Sequence, residues 1–278
     1  MAASGWSSEP MRTAALPLLL SLLLAGPSAA APARVVSLSL CADQFVLALA
    51  EPGRIAAVTR LAKDPNLSTA EPLARGVPHH RGSAEEVLAL RPDLVVTGAY
   101  ARGSTVQMLE RLGVPVLRLK TLNRLEEVPG QVEAVAAALG VPERGAALAA
   151  ALRAGLDGAG PAGARPTAAL FRPGGEVPGT RSLVGDVMRR AGLDNVGDRY
   201  AVRPGAKVPL EALVLSPPEV MVVDSRRPDR PGIGQSILEH PALRAAPGIR
   251  QVPFPLRYWL CAGPDSLAGA AVLAEAVR

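Results

Sequence analysis

From Arg34 onward, short β-branched runs alternate with stretches whose apolar positions recur at helical spacing. VVSLSL (35–40), IAAVT (55–59), LVVTGA (94–99) and VPVLRLK (114–120) read as strands. CADQFVLALAEPG (41–53) and AEEVLAL (84–90) read as helices, closed by Pro52-Gly53 and ended before Pro92. Strands that alternate with helices indicate βαβ units and parallel sheet. The unbroken apolar character of VVSLSL and LVV suits strands covered on both faces.

The middle of the chain differs. Between Leu125 and about Gly158 the spacing is helical throughout, as VPGQVEAVAAALG and then VPERGAALAAALRAGL. Gly140 ends the first helix, and Pro142 falls where a second would begin. GAGPAGARP (158–166) is a loop or hinge by composition. Alternation resumes with TAALFRP (167–173), LVGDVMRRAG (183–192), EALVLSP (211–217), VMVVDS (220–225) and a last helix from about Asp265.

An internal repeat organises these pieces. AEEVLALRPDLVV (84–96) matches LEALVLSPPEVMVV (210–223) at an offset of 126, without a gap. Glu85 falls on Glu211, Pro92 on Pro218, Asp93 on Glu219, and Leu94-Val95-Val96 on Val220-Met221-Val222. Each copy reads as a helix, a proline-acid turn and a buried strand. The chain is therefore read as two related α/β lobes, 34–124 and 158–278, joined by a helical rod over 125–157.

The amino terminus stands apart. After Arg12, AALPLLLSLLLA (14–25) is uncharged and apolar, but its twelve residues fall short of the roughly 20 that span a bilayer. Its length is that of a secretory h-region, and Ser28, Ala30 and Ala31 offer small residues for cleavage, so residues 1–31 are expected to be a signal peptide. Met11 is an alternative start. Cys41 lies too far on to be a lipoprotein cysteine, which points to a protein free in a periplasm. That compartment permits disulfides. Cys41 and Cys261 each sit before a helix at a strand end, one per lobe, and are expected near the cleft as two thiols, because a bond there would tether a moving clamp.

Composition narrows the function. Aromatic residues are only 3% of the 278, too few for a nucleic-acid stacking platform. The net charge of +5 is spread thinly, mostly as arginine, with lysine only at Lys63, Lys120 and Lys207. No nucleic-acid partner is expected; an anionic ligand in a cleft suits the mild basic bias. No Gly-x-Ser-x-Gly elbow, His-Glu-x-x-His pair or phosphate loop occurs, so no enzyme is expected.

RVVSLSLCADQFVLALAEPGRIAAVT (34–59) resembles the opening of the helix-linked periplasmic binding proteins for ferric siderophores, haem and vitamin B12. AEEVLALRPDLVV is similar to that family's docking helix and following strand, VPLEALVLSPPEVMVV (208–223) to the second-lobe equivalent, and Trp259-Leu260-Cys261-Ala262-Gly263-Pro264 to its closing motif. The resemblance implies two Rossmann-like lobes with parallel sheets, a long helix between them and ligand in the cleft. It also implies a monomer that delivers its ligand to an ABC permease. No resident cofactor is implied, since the metal would arrive as a chelate: a ferric siderophore, haem or a corrinoid.

Open parallel sheets bind ligand outside the carboxyl ends of their strands. By that rule the ligand-binding candidates are Cys41, Asp43, Gln44, Arg60, Tyr100, Phe171, Arg172, Arg257, Tyr258 and Trp259. Arg102, Arg226 and Arg227 also follow strands, though the last two suit a solvated surface. Asp43 is better suited to capping the helix that starts there, and Phe171 is equally suited to the core. Rings and guanidinium groups in such places fit a planar or chelated, partly anionic ligand. Glu85 and Glu211 occupy equivalent points of the repeat, where the resemblance implies that each meets an arginine of the transporter. His79-His80, in a loop, raises the alternative of a zinc- or manganese-binding protein, but only His240 remains to complete a metal site.

Overall fold

The computed structural model describes Met1 and residues 31–101, 103–158, 163–172, 174–200, 205–224, 240–246 and 248–278. Most of the expected leader, Arg102, Arg226 and Arg227 lie outside the described residues.

The first sheet contains β1 (Val35–Ser37), β2 (Ile55–Thr59), β3 (His79–His80), β4 (Leu94–Thr97) and β5 (Val116–Arg118), all parallel, in the order β3-β2-β1-β4-β5. Helices α1 (Leu40–Leu49), α2 (Glu71–Ala74), α3 (Ala84–Ala89) and α4 (Gly103–Arg111) accompany it. VVSLSL does not run on as a strand, because the Ser39 hydroxyl accepts a hydrogen bond from the Ala42 amide and caps α1 at Leu40. His79-His80 is no loop either; it pairs with Val58-Thr59 as a two-residue edge strand.

The second sheet contains β6 (Thr167–Phe171), β7 (Asp194–Asn195), β8 (Val220–Asp224) and β9 (Arg250–Phe254), in the order β7-β6-β8-β9. Its helices include α7 (Leu183–Arg190), α8 (Leu210–Leu215) and a C-terminal helix, Ser266–Ala276. The order β7-β6-β8-β9 repeats β2-β1-β4-β5, and the offset of 126 carries α3 onto α8 residue for residue.

The matched acids do matched work. Asp93 accepts hydrogen bonds from the Ala33 and Arg34 amides at 2.7 and 2.9 Å, just before β1. Glu219 accepts from the Thr167 amide at 2.7 Å, where β6 begins. In each lobe the acid after the proline aligns the first strand with its neighbour, Val35 beside Leu94 and Ala168 beside Val220.

Between the lobes lies a hairpin, not the single long helix that the family resemblance implied. It comprises α5 (Val128–Ala138) and α6 (Pro142–Leu156). Gly140, at φ 72°, closes α5 in the left-handed conformation, and Pro142 opens α6. The helices approach so closely that a Cβ on Gly145 would stand 2.2 Å from that of Ala136. Leu125 and Glu126, ahead of α5, are held by the second lobe: the Leu125 amide donates to Asp186 and Glu126 pairs with Arg190.

Strand alternation divides the core. Val35 and Leu170 face a shared cluster with Phe45, Val132, Val187, Trp259 and Leu273, which runs from one lobe through the hairpin into the other. Val36 and Val95 belong to a separate cluster on the outer face of the first sheet, and Ala169 and Phe171 to one on the second. No described helix is long and apolar enough to cross a membrane.

Candidate ligand-binding cleft

A cavity of about 480 Å³ lies where the carboxyl ends of the two sheets face each other. Its first-lobe wall comes from Ser39–Cys41 and Phe45 of α1, Gly98–Ala101 after β4, and Leu119–Asn123 after β5; its second-lobe wall comes from Arg172, Glu176 and Pro178 after β6, Ser182–Val184 and Trp259–Ala262. A larger hollow of about 920 Å³ lies between α6 and the C-terminal helix, but none of its lining follows the carboxyl end of a sheet strand, and its Arg189 and Arg190 are already paired with Asp186 and Glu126.

The repeat shapes this cavity. Each lobe sends the helix after its first strand, α1 or α7, to the cavity by its amino end. Each is capped by a serine: Ser39 accepts from the Ala42 amide and Ser182 from the Gly185 amide. Two positive helix ends therefore meet one space, which favours anionic groups of a ligand. Ser39 also accepts from the Gly98 amide at 2.8 Å and so binds the β4 loop to the start of α1. A side chain at Gly98 would intrude, because its Cβ would stand 2.9 Å from the Ser39 hydroxyl.

Four expected residues line the cavity, Tyr100, Arg172, Trp259 and Cys41. Tyr100 projects from the rim, 89% exposed, whereas Trp259 is 2% exposed and packs on Phe254 at 4.4 Å between ring centroids. Arg172 turns into the cavity just beyond the end of β6 and is 3.3 Å from Glu176; its Nε is buried without a partner. Lys120 provides a second cation on the opposite wall. Leu40, Phe45, Leu119, Leu122, Leu183 and Val184 make most of the remaining lining apolar.

Cys41 also lines the cavity, but as half of a disulfide with Cys261, the Cα atoms 5.3 Å apart. The expectation of two thiols is overturned. With α1 beginning at Leu40, Cys41 lies in its first turn and meets the chain between Trp259 and the C-terminal helix. The bond joins one lobe to the other.

The other candidates are elsewhere. On α1, residues four apart share a face, so Cys41 and Phe45 line the cavity while Asp43 and Gln44 do not. Asp43 is fully buried and accepts from the Thr59 amide at 3.0 Å and the Thr59 hydroxyl at 2.5 Å, tying α1 to β2. Burial raises its pKa to about 7 despite hydrogen bonds from Ser37 and Thr59. Gln44 is buried against Gly263. Phe171 faces the outer cluster because strand alternation sends it away from the cavity. Arg60 is exposed on a 3₁₀ turn, Arg60–Lys63, outside the lining. Arg257 and Tyr258 line a separate hollow, where the Arg257 guanidinium donates to the Pro65 carbonyl at 2.9 Å.

The histidines diverge as well. His80 is buried, its Nε2 2.7 Å from the Ser37 carbonyl, and His79 is exposed. Among the described residues no group of three or more His, Cys, Asp or Glu could hold a metal ion. Sequence reasoning passed over Lys120, Glu176 and Ser182. Lys120 was within reach of the strand-end rule, since it closes VPVLRLK; Ser182 could have been found as the counterpart of Ser39.

The periplasmic binding protein family matches residues 35–251. No curated protein matches the sequence. Among solved structures, a periplasmic heme-binding protein from Roseiflexus sp. RS-1 in apo form is 23% identical, with a TM-score of 0.69 over 87% of this chain and 97% of that one. A periplasmic heme-binding protein from Pseudomonas aeruginosa is 25% identical, with a TM-score of 0.68 over 88% and 92%. The periplasmic vitamin B12 binding protein of Vibrio cholerae is 16% identical, with a TM-score of 0.67 over 89% and 97%.

Proposed function

The chain belongs to the periplasmic binding protein family, and from that premise we propose that it captures an iron chelate of the haem class in the cleft and hands it to an ABC permease at the inner membrane. The observation that carries this reading is Tyr100, an exposed phenol at the rim of an apolar cavity with a cation on each wall. Ferric haem accepts a tyrosine oxygen as an axial ligand, its ring needs apolar walls, and its carboxylates suit Arg172, Lys120 and the two helix ends. Similarity to heme-binding proteins supports the same choice. A corrinoid or a hydroxamate siderophore is the second reading, favoured by other solved relatives. The corrin ring has less use for a phenol and usually calls for more stacking rings than Tyr100 and Trp259 supply. The zinc or manganese alternative loses its basis with the divergence of His79 and His80.

The expected leader and the family together support a periplasmic location. For delivery, Glu85 and Glu211 are exposed at the second position of α3 and α8, and neither has an ion pair or side-chain hydrogen bond among the described residues. Two like charges related by the repeat suit a two-fold permease.

Titration of the purified protein with ferric haem tests the reading. A hundredfold excess over Kd raises stability by about 2.7 kcal/mol, and Tyr100→Phe should weaken binding at least tenfold and alter the visible spectrum. If haem leaves the melting temperature unmoved while a ferric hydroxamate or a corrinoid raises it, the haem assignment gives way to that ligand; if none does, the class itself is wrong.

A further inference from the structure

We propose that the Cys41–Cys261 disulfide is a redox clasp on the cleft: capture belongs to the oxidised protein, and an occupied cleft shields the bond from thiol–disulfide exchange. The inference rests on reading the cavity as the ligand site. The bond joins residues 220 apart in sequence, one in each lobe, and both half-cystines line the cavity. It is thus a wall of the site as well as a tie across it.

Its position couples the two walls. Cys41 is two residues from Ser39, which holds the Gly98 loop that leads to Tyr100; Cys261 is two residues from Trp259. The clasp therefore sets the spacing between the rim tyrosine and the buried indole. Nearby, the lobes also meet through Arg257 on the Pro65 carbonyl and Gln44 against Gly263. These are non-covalent and would hold a looser cleft by themselves.

Access to the bond is one-sided. Cys261 is 3% exposed, while Cys41 is half-buried on the cavity lining. A thiolate meets Cys41 first, in the space that the ligand would fill. In exchange with a dithiol reductant, one thiolate attacks the Cys41 sulfur, the protein S–S bond breaks and Cys261 leaves as a thiolate that takes up a proton. The second thiol of the reductant then displaces Cys41. The protein gains two electrons and two protons, and the reductant closes to its own disulfide. Linkage makes the effects reciprocal: the factor by which the clasp tightens binding is the factor by which ligand resists reduction at equilibrium.

Gallium protoporphyrin IX, whose metal does not cycle with thiols, serves as the probe, and dithiothreitol as the reductant. Alkylation and mass spectrometry should show reduction at least tenfold slower with the probe bound. The oxidised protein should bind the probe at least tenfold more tightly than Cys41→Ser/Cys261→Ser. Equal reduction rates together with equal affinities overturn the clasp. A probe-free measurement separates this inference from the ligand assignment: hydrogen exchange at residues 98–101 and 182–184 should quicken in the double variant while β1 and β6 stay protected. If the variant does not fold, wild type held in dithiothreitol is read in the same way. Failure of the probe to bind the oxidised protein counts against the haem reading, and unchanged exchange on loss of the bond counts against the clasp.

Discussion

Asp43→Asn removes a charge from the core and changes little else. The carboxyl lies between α1 and β2, accepting from the amide and hydroxyl of Thr59, and an asparagine can accept from the amide and donate to the hydroxyl. Burial lifts the Asp43 pKa from 3.8 to about 7 in the folded protein. The folded state therefore holds a proton that the unfolded chain has released between about pH 4 and pH 7. Stability is highest below the unfolded value and declines as the pH rises through that window. The gap of roughly three pH units, at 1.36 kcal/mol each, sets a loss of about 4 kcal/mol, complete above pH 7. Urea denaturation of both proteins from pH 4 to pH 8.5 measures it. The variant should match wild type near pH 4, exceed it increasingly up to about pH 7 and keep a constant margin beyond. Asp198 and Glu219, held below the usual range by hydrogen bonds from Thr180 and Thr167, act in the opposite sense at lower pH and cancel in the difference. Parallel curves for the two proteins across the window would refute the reasoning.

Loss of the disulfide in Cys41→Ser/Cys261→Ser should lower the melting temperature. For a loop of 220 residues, chain entropy sets a ceiling of about 5 kcal/mol, or about 10–20 °C for a chain of this size; calorimetry showing a drop under 2 °C would refute it. Glu85→Arg and Glu211→Arg should leave ligand affinity nearly unchanged and sharply reduce ligand-stimulated transport in vesicles carrying the permease, with the double variant inactive. Wild-type transport by the double variant would return both residues to a simple role at the positive ends of their helices.

Local chemistry made much of the fold legible. Pro92-Asp93 and Pro218-Glu219 marked the repeat because each acid must reach the chain that starts the neighbouring strand, so residue type and spacing are constrained together. Gly140 and Pro142 marked the turn of the helical hairpin through their backbone restrictions alone. His79-His80 was opaque for the opposite reason. A two-residue edge strand is made by its partner, Val58-Thr59, and not by its own pattern.

The site divided in the same way. Tyr100 and Arg172 were legible because each follows a strand that periodicity marks, whereas Trp259 came from the closing motif, since the strand Arg250–Phe254 before it shows no clear pattern of its own. That Cys41 and Phe45 face the cavity while Asp43 and Gln44 turn inward emerged with the packing of α1. That choice depends on α1 beginning at Leu40, and each residue along a helix turns the side chain by about 100°, so a small shift of the start redirects the whole set. The pairing of Cys41 with Cys261 spans 220 residues. No local pattern encodes it, because it exists only where the packing of two lobes against a shared hairpin brings their strand ends together.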